Sequence, residues 1–237
     1  QLYLVYQPRF NLRTSKVEAV EALVRWQHPE RGIMMPDQFI PLAEETGLIM
    51  SLSNWVIRNA CTDTLTTLPG LSVSVNISPV EFQASDLADR IITILRDTGL
   101  PPTRLELEVT ENVTLSEPEN TCKTMKTLKQ MGVRILIDDF GTGYASLSYL
   151  RKFQFDGLKL DKSFIFSLGE SQQNQSVVEK IIDLGKAYSM EVTAEGVETT
   201  EQLSFLKKNR CDEVQGYLLG KPASITELNL NANRIDL

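Results

Sequence analysis

The sequence predicts an α/β protein, a (β/α)8 TIM-like barrel whose first strand runs antiparallel to the others. Short apolar runs alternate with amphipathic helical patterns along the whole chain, and about eight such runs are present. This alternation is typical of a barrel in which helices connect successive strands. The first two runs are joined only by residues 11–16. That connection is too short for a crossover helix, so we expect the first two strands to form a hairpin.

Eight runs have the composition of strands. Most are rich in apolar and β-branched residues, and turn-forming or helical segments separate them. The predicted strands cover residues 2–6, 17–23, 71–75, 105–109, 133–137, 157–160, 191–194 and 213–215. The carboxyl ends of parallel barrel strands meet on one face, so side chains at those ends should lie close together.

Five segments have the apolar spacing of helices. The predicted helices cover residues 52–65, 85–96, 121–131, 175–188 and 199–208. In the 85–96 segment, Leu87, Ile91 and Ile94 fall on one face, and Gly99 marks the end of the helix. In the 199–208 segment, Thr199 and the residue three positions later, Gln202, have the spacing of a capping box.

The composition is that of a folded acidic domain. Hydrophobic residues make up 42% of the 237 residues, and 31 acidic against 24 basic residues give a net charge of −7. Polymeric nucleic acid is therefore an unexpected partner, because its binding requires clustered cations. No apolar run reaches the roughly 18 residues of a membrane span. The chain begins in a strand-like run without Met, so we expect one domain, residues 1–237, cut from a longer protein.

The cysteine and histidine content restricts the chemistry. The three cysteines, Cys61, Cys122 and Cys211, are scattered and form no C-x-x-C pair, which favours reduced thiols in a cytoplasmic domain. His28 is the single histidine. A metal site that needs two histidines is therefore excluded within this chain, and a Ser-His-Asp triad would have to use His28.

Polar side chains lie at or near the ends of most predicted strands. They are Glu21, Asn76, Glu108, Glu111, Asp138, Asp139, Lys159, Asp161, Glu195, Glu198 and Gln215. Carboxylates that converge on one face repel each other, and divalent cations remove that cost. Oxygen ligands without histidine or thiolate select Mg²⁺ or Mn²⁺. The pattern suits two metals about 3.5–4 Å apart, as in phosphodiester hydrolysis.

Each of these residues also has a structural interpretation. A single acid can be solvated surface, and the Asp138-Asp139 pair could cap the next segment. Lys159 could extend its charged end to the surface, and Asn76 could form a turn before Pro79. The recurrence of polar groups at successive strand ends favours the functional interpretation, because independent surface placement would rarely produce it.

Ordered motifs over essentially the whole chain carry a family resemblance. They are Tyr6-Gln7-Pro8, Glu21-Ala22-Leu23-Val24-Arg25-Trp26, Val75-Asn76-Ile77-Ser78, Glu106-Leu107-Glu108-Val109-Thr110-Glu111, Asp138-Asp139-Phe140-Gly141-Thr142-Gly143-Tyr144, Leu158-Lys159-Leu160-Asp161, Ala194-Glu195-Gly196-Val197-Glu198-Thr199 and Gln215-Gly216-Tyr217. Together they resemble the EAL domain, the bacterial cyclic di-GMP phosphodiesterase family. The resemblance implies a metal-dependent hydrolase that opens cyclic di-GMP to linear 5'-pGpG in bacterial signalling.

The resemblance also implies a role for each site residue. The implied metal ligands are Glu21, Asn76, Glu108 and Asp138 for one ion and Asp138, Asp139 and Glu195 for a second. The implied catalytic residues are Lys159, which orients or activates the attacking water, Glu21 and Glu195. The implied substrate contacts are Gln7, Leu23, Arg25, Asp161 and Gln215. The implied anchors of the loop over residues 139–149 are Glu111 and Glu198.

The implied cofactors are two Mg²⁺ or Mn²⁺ ions, and the implied partners are the cyclic di-GMP substrate, a second copy in a homodimer, and sensor or cyclase-like domains of the parent chain.

This sequence departs from the family pattern mainly in its first quarter. Arg9 stands where the family more often has an aliphatic residue. None of the departures touches an implied ligand.

Two other functions stay open on the sequence. A family member that has lost catalysis would bind cyclic di-GMP as a sensor, although the acids, the lysine and the loop are all present here. A glycoside hydrolase barrel would use paired acids, but aromatic residues for sugar stacking are few, at 7%. Turnover of cyclic di-GMP separates the first alternative from the enzyme, and sensitivity to EDTA separates the second.

Overall fold

The computed structural model describes residues 1–111, 118–143, 147–228 and 230. Its strands form one sheet. The strands are β1 Leu2–Asn11, β2 Lys16–His28, β3 Gly32–Met34, β4 Ser72–Asn76, β5 Leu105–Thr110, β6 Arg134–Phe140, β7 Gly157–Leu160, β8 Glu191–Ala194 and β9 Glu213–Val214. The predicted domain, residues 1–237, ends in a segment, 231–237, that lies outside the described residues.

Eight of these strands close into a barrel. β1 pairs with both β2 and β9, and the order around the barrel is β1, β2, β4, β5, β6, β7, β8 and β9. β1 is antiparallel to both of its neighbours, whereas the pairs from β2–β4 around to β8–β9 are parallel. The predicted barrel with an antiparallel first strand is therefore confirmed.

The helices are α1 Ile40–Glu45, α2 Ile49–Thr67, α3 Leu87–Thr98, α4 Pro118–Gln130, α5 Leu147–Phe153, α6 Lys162–Phe166, α7 Gln172–Ala187 and α8 Thr200–Lys208. None of the described helices is long and apolar enough to cross a bilayer. The capping box is present in α8, where Gln202 N–H donates to Thr199 Oγ1 and Thr199 N–H donates to Gln202 Oε1. α7 begins three residues earlier than predicted because Ser171 accepts the Asn174 N–H and caps it.

The opening hairpin is longer than predicted. β1 and β2 pair from Leu2 opposite Trp26 to Asn11 opposite Lys16, well beyond the predicted residues 2–6 and 17–23. The connection is tightened by Asn11 Oδ1, which accepts the backbone N–H groups of Arg13 and Thr14. β2 also pairs with the short β3, which the sequence did not predict.

The two sides of the barrel wall differ in chemistry because strand side chains alternate between faces. On β5, Leu105 and Leu107 belong to the apolar core. Glu106 and Glu108, the residues that alternate with them, are fully buried and pair with Arg9 and Lys159 from other strands. The barrel interior is therefore filled with charged and polar side chains, and the apolar core lies between the strands and the helices.

We expect the exchange Gly216→Ala, just after β9, to destabilise the fold by about 3 kcal/mol. A Cβ at Gly216 would lie 2.1 Å from the carbonyl oxygen of Val197. The backbone N–H of Val197 donates to the carbonyl of Gln215, and the Val197 carbonyl accepts the Leu218 N–H. The Val197 backbone therefore cannot move aside easily. Gly169→Ala is the matched control, because nothing lies within 4 Å of its Cβ. Urea denaturation of both variants measures the difference, and equal stabilities would contradict this packing.

Candidate active site

A buried lysine lies at the centre of the strand-end residues. Lys159 projects from β7 into the barrel and is 1% exposed. Its Nζ lies 2.7 Å from Glu108 Oε2 and 2.7 Å from Glu195 Oε1. The same Nζ lies 3.3 Å from Glu21 Oε2 and 3.4 Å from Asp138 Oδ1. One ammonium group thus contacts four carboxylates that come from four different strands or strand ends.

Neutral amides hold the Glu21 carboxylate in place. Asn76 Nδ2 donates to Glu21 Oε1 at 2.8 Å, and Gln215 Nε2 donates to Glu21 Oε2 at 2.6 Å. Gln215 Nε2 also lies 3.1 Å from Gln7 Oε1, and Gln7 Nε2 donates to the carbonyl of Gly220. The β1–β2 register places Gln7 directly opposite Glu21. The antiparallel β1 therefore delivers Gln7 to the same end of the barrel as the acids.

Three acids beside Lys159 lie close enough together to hold a metal ion. One carboxylate oxygen from each of Asp138, Asp139 and Glu195 lies within 4.8 Å of the other two. Asp139 has a left-handed backbone, with φ of +53°, and its N–H donates to Asp138 Oδ1. The β6–β7 register breaks between Ile137 and Phe140. This break lets two successive acids contribute to one site.

Burial and mutual repulsion raise the pKa values of most of these acids. Burial raises the pKa of Glu195 to about 8, with the Lys159 charge opposing the shift and Asp138 adding to it. Burial and the Glu21 charge raise the pKa of Glu108, and burial also raises the pKa of Asp138. Burial would raise the pKa of Glu21 as well, but Lys159 and the amide donors lower it. Against the cost of burial, the four carboxylates raise the pKa of Lys159.

The donor set fits a hard divalent cation. Carboxylates from β2, β5, β6 and the end of β8 converge with the Asn76 side chain. These donors are oxygen atoms, which Mg²⁺ and Mn²⁺ prefer. Burial, and after it the charges of neighbouring acids, raises the pKa values of Asp138, Asp139 and Glu195, and a bound cation would stabilise their charged forms.

The loop that follows Asp139 is tied to Glu111. Glu111 is buried at the end of β5, and its Oε1 accepts the Gly141 N–H at 2.6 Å. A Cβ at Gly143 would lie 2.5 Å from Glu111 Oε2, so the close approach requires glycine there. Residues 144–146 of the predicted loop lie outside the described residues. The prediction that Glu111 and Glu198 anchor this loop stays a prediction.

Glu198 lies apart from the acids that contact Lys159. Its side chain is exposed just before α8, and its N–H donates to Gln202 Oε1. Within the described ranges, its carboxylate makes no hydrogen bond to the loop after Asp139.

Of the predicted substrate contacts, Gln7 and Gln215 are buried beside Glu21, and the other three do not hydrogen-bond to it in the described residues. Leu23 is half-buried and lines a cleft of about 530 Å³ together with Asn76 and Asp139. Arg25 lies on β2, where its Nη1 donates to the Val24 carbonyl. Asp161 follows β7 and caps α6 by accepting the Ser163 N–H.

A second layer of charges below the site was missed by the sequence reasoning. Arg9 forms ion pairs with Glu106 and Glu213, and Arg134 forms ion pairs with Glu106 and Glu191. The signal was present, because Arg9, Glu106 and Glu213 each stand two residues from a predicted site residue on the same strand or its end. Residues two apart on a strand face the same side.

The fold and the site together define a TIM-type barrel with its functional groups at the carboxyl ends of the strands, the position of enzyme active sites in this fold. The EAL domain family matches residues 1–222. The chain is 43% identical over 242 residues to the cyclic di-GMP phosphodiesterase NbdA of Pseudomonas aeruginosa, covering 100% of this chain and 31% of that protein. The chain belongs to the EAL domain family.

Two further comparisons agree. The chain is 39% identical over 232 residues to the bifunctional diguanylate cyclase/cyclic di-GMP phosphodiesterase MucR of Pseudomonas aeruginosa, covering 96% of this chain and 34% of that protein. A solved c-di-GMP complex of the PaMucR phosphodiesterase superposes with a TM-score of 0.91 at 38% identity, covering 97% of this chain and 94% of that one. The chain thus spans about a third of the length of these curated relatives.

We expect Lys159→Met to lower the free energy of unfolding by about 3–5 kcal/mol at pH 8 in EDTA, because it leaves several buried carboxylates without their cation. Without the ammonium, burial and then mutual repulsion hold the pKa values of these acids above their unfolded values, so the folded variant binds more protons than the unfolded chain. Its stability should therefore rise as pH falls from 8 to 5, and the deficit relative to the wild type should shrink.

Urea denaturation at several pH values measures this deficit. The exposed Lys180, whose ion pair in the described part of the chain is with Asp183, provides the control Lys180→Met. A deficit that does not change with pH, or that matches the control, would contradict the central role of Lys159.

Proposed function

We propose that this domain hydrolyses cyclic di-GMP to linear 5'-pGpG and that the reaction requires two divalent cations, Mg²⁺ or Mn²⁺. The observation that carries the proposal is the gathering of Glu21, Glu108, Asp138 and Glu195 around Lys159 at the carboxyl ends of the barrel strands. Membership of a family whose relatives are named cyclic di-GMP phosphodiesterases supports the choice of substrate.

The proposed cation ligands divide into two sets that share Asp138. Glu21, Asn76, Glu108 and Asp138 would hold one ion, and Asp138, Asp139 and Glu195 would hold the other. When bound, such cations neutralise phosphate charge and bring the pKa of a water molecule toward neutrality. The 4.8 Å grouping of Asp138, Asp139 and Glu195 supports the second set.

The other site residues are assigned to binding and orientation. Arg25 offers a guanidinium for a phosphate oxygen, and Leu23 offers an apolar surface in the cleft. Lys159 Nζ, on which the acids converge, would hold the attacking water by a hydrogen bond. Attack on phosphorus breaks the bond to the ribose O3', which leaves with a proton, and the new phosphate monoester is the 5' end of pGpG.

We further propose that the domain works in the cytoplasm as part of a longer, homodimeric protein with sensor or cyclase-like domains. The greater length of the relatives supports additional domains, and three free cysteines support a reducing compartment. Dimerisation is supported by the family resemblance.

The direct test is incubation of the domain with cyclic di-GMP and Mg²⁺ or Mn²⁺, with and without EDTA, followed by chromatography of the nucleotides. We expect pGpG with either metal and none with EDTA. Binding of cyclic di-GMP without any pGpG would assign the domain to the sensors. Product formation that is unaffected by EDTA would overturn the cation requirement.

We expect Glu21→Gln to reduce kcat by at least about 100-fold while cyclic di-GMP binding is weakened much less. The exchange keeps the side-chain size but removes a charged cation ligand, whereas the proposed nucleotide contacts Leu23 and Arg25 are unchanged. Steady-state kinetics and calorimetric titration measure the two quantities. Half-buried Glu179, which lies on α7, gives the control Glu179→Gln. Turnover of Glu21→Gln near that of the control would remove Glu21 from the catalytic machinery.

A further inference from the structure

The second charged layer of the barrel contains an arginine that reaches toward the proposed cation site. Arg9 is 1% exposed and lies on the antiparallel β1. It forms an ion pair with Glu106 Oε2, and its Nε lies 2.6 Å from Glu213 Oε2. Its Nη1 lies 3.9 Å from Glu108 Oε1. Arg9 therefore connects the lower layer to a residue that contacts Lys159.

The guanidinium of Arg9 is held from below by groups that are themselves fixed. Glu106 Oε1 lies 2.7 Å from Arg134 Nη1, so the carboxylate is shared between two arginines. Glu213 Oε2 accepts the hydroxyl of Thr193 at 3.0 Å. An arginine fork between two fixed carboxylates has little freedom to move, because its donors are rigid and planar.

The two oxygens of Glu108 have different surroundings. Oε2 lies 2.7 Å from Lys159 Nζ. Oε1 is buried and, in the described part of the chain, accepts no hydrogen bond; Arg9 Nη1, which faces it, likewise donates none. A buried carboxylate oxygen without a hydrogen bond depends on a nearby positive charge, and Arg9 supplies one.

We propose that Arg9 is a positioning residue that holds the Glu108 carboxylate from inside the barrel and thereby sets the affinity of the site for its divalent cation. The proposal rests on the proposed function in assigning Glu108 to a cation. Partners of metal ligands fix the orientation of those ligands and keep them charged, and losing one weakens metal binding. Here that partner comes from the antiparallel strand.

The chain offers a matched control for this test. Arg134 shares Glu106 with Arg9 and also pairs with Glu191, but no ion pair joins it to Glu108 in the described residues. Arg9→Met and Arg134→Met both remove a guanidinium from the same network. Of the two, Arg9 reaches the Glu108 oxygen and is fully buried, whereas the Arg134 side chain is 31% exposed.

The measurement is titration of the domain with Mn²⁺, without nucleotide, followed by electron paramagnetic resonance of the free ion. We expect Arg9→Met to bind Mn²⁺ roughly 10- to 100-fold more weakly than the wild type, and Arg134→Met to remain within about twofold of it. Arg9→Lys keeps the positive charge but loses the planar guanidinium with its several N–H donors. Its affinity for Mn²⁺ should therefore fall between those of Arg9→Met and the wild type. At saturating Mn²⁺, kcat of Arg9→Met with cyclic di-GMP should recover toward the wild-type value.

Equal Mn²⁺ affinities of folded Arg9→Met and Arg134→Met would overturn the proposal, as would a wild type that binds no Mn²⁺. If circular dichroism shows that Arg9→Met is unfolded, the comparison passes to Arg9→Lys and Arg134→Lys, and equal affinities would again overturn it. The titration needs no turnover. A wild type that binds Mn²⁺ but leaves cyclic di-GMP intact would refute the proposed function alone.

Discussion

The contact between the Lys159 ammonium and four carboxylates is the interaction on which the rest of the site depends. Glu21, Glu108, Asp138 and Glu195 are all largely buried, and like charges at such distances repel strongly in a protein interior. The ammonium compensates that repulsion, and the shared contact defines one point toward which β2, β5, β6, β7 and the end of β8 direct their side chains. One ammonium against four carboxylates leaves the group with excess negative charge, which favours the binding of divalent cations there.

The barrel supports this arrangement by separating two kinds of packing. Apolar side chains such as Leu105, Leu107 and Val109 face the helices, and their burial provides the main drive for folding. The interior carries charged layers instead, with Arg9, Glu106 and Glu213 below and Lys159 with its acids above. Buried ion pairs contribute little net stability compared with apolar packing. Their value here is positional, because each charge restricts the orientation of the next.

The barrel, its antiparallel first strand and the capping box of α8 could be predicted because each depends on local spacing. The short β3, α1, α5 and α6 could not, since elements of this length carry too little periodicity and depend on tertiary contacts. The convergence of the strand-end acids could be predicted from topology alone. The contact of Lys159 with four of them could not, because it depends on the stagger of the barrel strands. This stagger places Lys159 opposite Thr193 rather than opposite an acid. Arg9 stood out only as a departure from a family pattern, and its partners come from distant strands.

The positions of bound divalent cations test the proposed site most directly. Crystals of the domain can be grown with Mn²⁺, and anomalous diffraction data collected at the manganese absorption edge would locate the bound ions. We expect two peaks at the carboxyl end of the barrel that share Asp138, with Glu21, Asn76 and Glu108 around one and Asp139 and Glu195 around the other. Peaks away from these side chains, or their absence at saturating Mn²⁺, would contradict the proposed site.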